Sequence, residues 1–200
     1  MDAGLFMRHR CTFGRSFYGL VLFYALFHMK KALLSVDKSA FFNKYALRTT
    51  NKRNGRHNMR AEAKHADQLA EVVGIVWPGH TREELRDIVL DYIGSEGSAV
   101  FAEEEDGRFI GVALCGLRHD YVEGCETSPV GYLEGVAVRE ENRHRGVAKK
   151  LVEECEQWAR EKGCTEFASD CELINTASLD FHLAVGFTEE NRLICFKKTL

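Results

Sequence analysis

Apolar positions beyond about residue 56 fall into short blocks, and the spacing inside each block predicts the element it forms. His57–Ala63 is a strand candidate. Ala66–Val76 has helical spacing, with Asp67 near its start, and Trp77-Pro-Gly breaks it. Thr81 and Glu84 make a capping box, after which Leu85, Ile88, Val89 and Tyr92 keep a helical stripe to Ile93, where Gly94 stops it. Ser98–Glu103 and Arg108–His119 alternate as strands, joined across Glu105-Asp-Gly107 in a β-hairpin. Tyr132–Val138 reads as a strand. Val147–Lys162 reads as a helix with Val147, Leu151, Cys155 and Trp158 on one face, ended by Gly163. Cys164–Ser169 is a strand candidate, Asn175–Val185 a helix closed by Gly186, and Phe187–Thr199 is expected to hold a last strand pair. The order β-α-α-β-β-β-α-β-α-β-β predicts an α/β domain of the α+β kind, built on a mixed sheet.

The first 55 residues differ in kind. They hold ten Lys or Arg against two acids and one apolar run, Phe17–Phe27. That run is too short for a bilayer span, which needs roughly 20 residues. Basic residues precede it, as in a signal peptide, but no small-x-small cleavage site follows cleanly. A transit-like or membrane-touching leader is a second reading. An upstream extension, with the working domain beginning at Met59 or nearby, is the reading we favour. Residues 1–55 are therefore expected to be a poorly ordered or helical extension, loosely attached, and residues 56–200 the folded domain.

A chain of 200 residues with 45% hydrophobic content suffices for one domain and a short appendage. Only two prolines and well-spaced apolar blocks exclude a collagen-like or low-complexity chain. Residues 56–200 hold 17 basic and 28 acidic side chains, so this part stands near −11. Such a balance disfavours nucleic acid and suits a cationic small molecule. The seven cysteines form no C-x-x-C pair and the histidines no metal-spaced cluster, so neither a zinc site nor a disulfide framework is expected. Reduced cytoplasmic thiols fit better, with Cys115, Cys164 and Cys195 as small core residues.

The candidate chemistry centres on Arg143-His144-Arg145-Gly146-Val147-Ala148, set between an apolar strand and an amphipathic helix. A helix N-terminus exposes unpaired N–H groups and partial positive charge, so a loop wrapping an anion there needs small residues for close backbone approach. Gly146 and Ala148 meet that need, and Arg143, His144, Arg145, Lys149 and Lys150 surround the spot with basic side chains. A basic turn before a helix is also a common solvated corner, so the loop alone leaves both readings open.

Downstream, Asn175-x-x-Ser178-Leu-x-Phe181-His182-x-x-x-Gly186-Phe187 follows in the order and spacing of the second motif of the GNAT acetyltransferase superfamily, which residues 56–200 thus resemble. Within it, the stretches Tyr121–Gly135 and Cys164–Asp170 are similar to the aminoglycoside 6′-N-acetyltransferases. The resemblance implies an acyl-CoA N-acyltransferase fold that moves acetyl from acetyl-CoA, as co-substrate, to the 6′-amine of an aminoglycoside, with no metal. Drug resistance, a cytoplasmic location and a homodimer are expected with it. The other enzyme reading is acetylation of a polyamine or a protein amine, and a catalytically silent acyl-CoA-binding module is the rival of a different class.

The same resemblance assigns residues. Glu134 falls near the acceptor amine, where a carboxylate acting directly or through water serves as general base, since a protonated amine cannot attack a thioester. Asp170 is expected to hold a substrate amino group, and Trp77 and Tyr121 to wall the substrate. The backbone N–H groups of Val136 and Val138 are expected to polarise the thioester carbonyl. Arg143–Lys149 and Asn175 form the implied coenzyme site. His182 stands where many members carry a tyrosine that protonates the leaving thiolate; histidine has the chemistry for that step, and packing is the equal alternative.

Overall fold

A computed structural model describes residues 55–200, all within Thr49–Leu200, the second of two units into which the chain divides. Residues 1–54, with the run Phe17–Phe27 and the leader and extension readings attached to it, lie outside the described residues.

Five strands form one sheet in the order of the chain: β1 (Arg56–Arg60), β2 (Ser98–Glu105), β3 (Arg108–Arg118), β4 (Val130–Val138) and β5 (Phe167–Ser169). The first four pair antiparallel, whereas β5 pairs parallel to β4. The β2–β3 turn is the two-residue Asp106-Gly107, with φ of 51° and 81°. Positive φ at both central residues matches the twist of the flanking strands, which explains why Asp-Gly marks the hairpin.

The centre of the sheet is buried on both faces, and alternate residues of β2 and β3 supply two cores. Val100, Ala102, Val112 and Leu114 face α1 (Ala66–Val73) and α2 (Arg82–Gly94). Thr81 caps α2: its hydroxyl accepts from Glu84 N–H while the Glu84 carboxylate accepts from Thr81 N–H. Phe101, Ile110, Ala113 and Cys115 face the other way, against α3 (Val147–Glu161), which buries Val147, Leu151, Cys155 and Trp158. A last helix, α4 (Thr176–Ala184), is capped by Asn175 and lies half exposed.

Two glycines seat α3. A Cβ on Gly111 would lie 2.6 Å from Val147 Cγ1, and one on Gly131 2.6 Å from the Ala159 Cβ, so both ends of the helix approach the sheet closer than any other residue would permit.

The expectations hold for most elements, with differences at the C-terminal end. The strand expected from Cys164 begins at Phe167. The pair expected over Phe187–Thr199 does not form: residues 187–200 contain no strand. A strand exists by pairing, and the β5 edge takes no partner from this segment. Leu193, Ile194 and Phe196 are accordingly 66%, 81% and 91% exposed. Cys195, expected in the core, is exposed, while Cys115, Cys155 and Cys164 are buried. Among the described residues no helix is long and apolar enough to cross a membrane, and no three His, Cys, Asp or Glu side chains are placed to hold a metal ion.

The seating of α3 is testable. Gly111→Ala should destabilise the fold by about 1–3 kcal/mol through overpacking against Val147 and Leu151. In urea unfolding the midpoint should fall with the slope unchanged.

Candidate active site

The loop before α3 has the shape an anion needs. His144 and Gly146 both take left-handed conformations, with φ of 58° and 78°. Gly146 is the N-cap of α3 and no side chain caps the helix, so the first-turn N–H groups carry no side-chain acceptor. The first turn contains no acidic residue, and the space beside Gly146 is open. These features fit a pyrophosphate. The basic side chains are differently employed. Arg145 forks onto Glu105 at 2.6 and 3.0 Å, Lys150 lies 3.9 Å from Glu103, and Arg143 Nε donates to the Val138 carbonyl at 3.3 Å. His144 and Lys149 are exposed. Hydrogen bonding to Arg145 holds the Glu105 carboxyl below its ordinary range.

Between β3 and β4 the register slips: Leu114 pairs with Gly135 but Cys115 with Leu133, leaving Glu134 as the extra residue of a β-bulge. Bulges re-aim side chains. Here Glu134 turns toward the end of β3, where Arg118 donates to it from Nε at 3.3 Å and Nη2 at 2.9 Å. Gly135 lies beneath Val76 and Trp77, a Cβ there falling 3.2 and 3.5 Å from them. The Arg118 guanidinium also stacks 3.2 Å over the Tyr132 ring, and the Tyr132 hydroxyl donates to Asp170. One cluster thus joins Arg118, Tyr132, Glu134 and Asp170, with Trp77 beside it.

Beyond the bulge β4 is open on one side, because β5 pairs only with Gly131–Leu133. Arg139 N–H donates to Ile110 on β3. Alternation along the strand therefore turns the N–H groups of Val138 and Val136 away from β3, toward the open side. Four residues, roughly 13 Å of strand, separate Glu134 from Val138, where the loop to α3 begins.

Other expected site residues stand apart from this cluster. Tyr121 is exposed on the loop after β3 and donates to Glu123. Asn175 Oδ1 accepts from Ser178 N–H and so caps α4. His182 ties α4 to β5: Nδ1 lies 2.7 Å from the Ser178 carbonyl, Nε2 lies 2.9 Å from Ser169 Oγ, and the ring meets Phe181 and Phe187 edge-on. The sequence reading missed Arg118, Tyr132, Glu105 and Asn142. An arginine ending an apolar strand was the available signal, legible only once β3 is paired with β4.

Burial, and then the Asp170 carboxylate against the hydroxyl, push the Tyr132 phenol well above its ordinary value. For Arg118, burial pulls downward but the Glu134 carboxylate outweighs it, leaving the guanidinium firmly charged.

An anion-shaped loop at a helix N-terminus, a strand left without a partner on one side beyond Leu133 and a carboxylate cluster beside it fit the chemistry of an acyl-CoA N-acyltransferase. The sequence profile of the Acetyltransferase (GNAT) family matches residues 63–187, and this chain belongs to that family. Among its relatives, aminoglycoside N(6')-acetyltransferase type 1 of Serratia marcescens is 39% identical over 126 residues, covering 62% of this chain and 86% of the relative. The same-named protein of Salmonella typhimurium is 40% identical over 134 residues, covering 67% and 92%. Among solved structures, aminoglycoside N-acetyltransferase AAC(6')-Iy in complex with CoA superposes with a TM-score of 0.71 at 34% identity, over 76% of this chain and 100% of that one. AAC(6')-Iy with the bisubstrate analogue CoA-S-monomethyl-acetylneamine gives 0.69 at 36% identity, over 72% and 99%.

The Tyr132 shift has a stability consequence. The native state keeps a proton that the unfolded chain releases, so the contribution is full below the ordinary tyrosine value of about 10 and declines as pH rises above it. Urea unfolding between pH 9 and 12 should show a steeper alkaline loss for the wild type than for Tyr132→Phe, by up to about 1.4 kcal/mol per pH unit.

Proposed function

We propose that this chain transfers the acetyl group of acetyl-CoA to the 6′-amino group of aminoglycosides. The observation that carries the reading is the cluster of Glu134, Asp170, Arg118 and Tyr132 at the splay of β4, in a domain near −11. Relatives that bear this activity in their names match most of their own length here. Acetylation removes the charge of the amine, and with it the pairing to an RNA target, so resistance follows.

Acetyl-CoA supplies an acetyl thioester. The N–H groups of Val147, Ala148 and Lys149, with Arg143, His144 and Gly146, hold its pyrophosphate, and Asn175 shapes the neighbouring helix. The N–H groups of Val136 and Val138 receive the charge that grows on the carbonyl oxygen. Asp170 and Glu134 bind the cationic acceptor, and Trp77 and Tyr121 wall it. Arg118 holds the Glu134 side chain in place until the substrate ammonium displaces the guanidinium; the carboxylate then takes the amine proton, directly or through water. His182 has both ring nitrogens engaged, which supports a tie between α4 and β5 over proton donation to the thiolate.

The working form is a homodimer in the cytoplasm, where acetyl-CoA is available and thiols stay free. Leu193, Ile194 and Phe196 make an apolar tail that no part of the described chain covers, and a second copy is its partner. Residues 56–200 are the catalytic domain, to which residues 1–55 are an addition.

The test is steady-state acetyl transfer with aminoglycosides carrying a 6′-amine, matched compounds carrying a 6′-hydroxyl, polyamines and a lysine peptide. Turnover confined to the 6′-amines is expected; preference for a polyamine or peptide replaces the substrate, and CoA binding with no turnover replaces the enzyme. Glu134→Gln should lower kcat about 10²–10⁴-fold while CoA affinity stays unchanged. Removing residues 192–200 should convert dimer to monomer in sedimentation.

A further inference from the structure

The coenzyme loop is held in shape from outside itself. Its two left-handed residues, His144 and Gly146, bracket Arg145, and such a path persists only where its surroundings over-determine it. The surroundings converge on one side chain. Glu105 Oε2 accepts from Asn142 Nδ2 at 3.1 Å, just before the loop. The same carboxylate receives both arms of the Arg145 guanidinium inside it. Asn142 is buried at 6% exposure, so this amide has its partner within the protein rather than in water.

Glu105 is itself firmly placed. It ends β2, pairs in register with Arg56 on one side and Arg108 on the other, and precedes the tight Asp106-Gly107 turn. Two residues back on the same face, the fully buried Glu103 accepts from Arg56 Nε at 2.6 Å and faces Lys150 on the first turn of α3. One strand face thus presents two carboxylates, Glu105 to the basic loop and Glu103 to the first turn of α3.

We propose that Glu105 is a positioning residue for acetyl-CoA: acting through Asn142 and Arg145, it holds the loop so that backbone N–H groups meet the pyrophosphate, and Arg145 serves Glu105 rather than the phosphate. The proposal rests on the coenzyme reading above. It leaves the backbone N–H groups, with Arg143, His144 and Lys149, as the direct contacts, and it gives Arg145 a mechanical use.

The two roles for Arg145 predict opposite signs. If the guanidinium belongs to the phosphate, neutralising Glu105 frees it and tightens binding; if it belongs to Glu105, neutralisation loosens the loop. CoA binding to the full-length chain is measured by titration calorimetry for the wild type, Glu105→Gln, Arg145→Met and the double variant, with melting temperatures alongside. Each single variant is expected to weaken CoA about tenfold, and the double variant no more than the worse single, as for partners in one interaction. The KM for acetyl-CoA should rise with them while kcat at saturation and the KM for the amine stay within twofold. Glu105→Asp, which keeps the charge but draws the carboxylate back, should show the same loss and serves if the glutamine variant does not fold. Equal or tighter binding by Glu105→Gln, or additive losses in the double variant, overturns the proposal. Absence of CoA binding by the folded wild type overturns the coenzyme reading itself.

Discussion

The architecture depends on how closely α3 lies on the sheet. Gly111 under Val147 and Gly131 under Ala159 remove the side chains that would hold the helix away. Interiors pack too densely to absorb an extra methyl without movement. With the helix pressed down at both ends, its N-terminus arrives at the end of β4, and the loop that joins them becomes short and bent enough to need two left-handed residues. The anion-shaped cradle thus follows from the seating of α3, and Glu105 is hydrogen-bonded to Asn142 and Arg145 at its edge.

A second constraint acts at the middle of β4. One extra residue at Glu134 breaks the regular ladder with β3, and past Leu133 β5 is no longer beside the strand. The bulge turns the Glu134 carboxylate toward Arg118, and the end of β5 leaves the N–H groups of Val136 and Val138 without a strand partner; the proposed reaction uses both. The Arg118 fork on Glu134 is a half-buried ion pair whose guanidinium has further support from the Tyr132 ring. Such a pair contributes little net stability, because the cost of burying its charges offsets their attraction. In the proposed reaction, an arriving ammonium offers Glu134 the same charge as Arg118.

How much of this was legible depended on whether a feature is local. The capping box at Thr81, the Asp106-Gly107 turn and the stripe of α3 are written in residues three or four apart, and the structure reproduces them closely. The Arg143–Ala148 loop was legible for the same reason, because small residues and basic residues at a helix start are a short-range pattern. The tail was misread: Leu193, Ile194 and Phe196 have the composition of a strand, but pairing depends on an edge that the sequence pattern does not reveal.

The sequence by itself determined most elements as far as α4, the family and the acidic balance of residues 56–200, because periodicity, caps and motif spacing act within a few residues of one another. Only the tertiary structure decided which charges meet. Arg118 and Glu134 are brought together by the register of β3 with β4, Tyr132 and Asp170 by the pairing of β4 with β5, and Glu105 and Arg145 by the seating of α3. Those partners lie 16, 38 and 40 residues apart, and over such distances the cost of closing the chain is met by the whole packed core rather than by any pair of side chains.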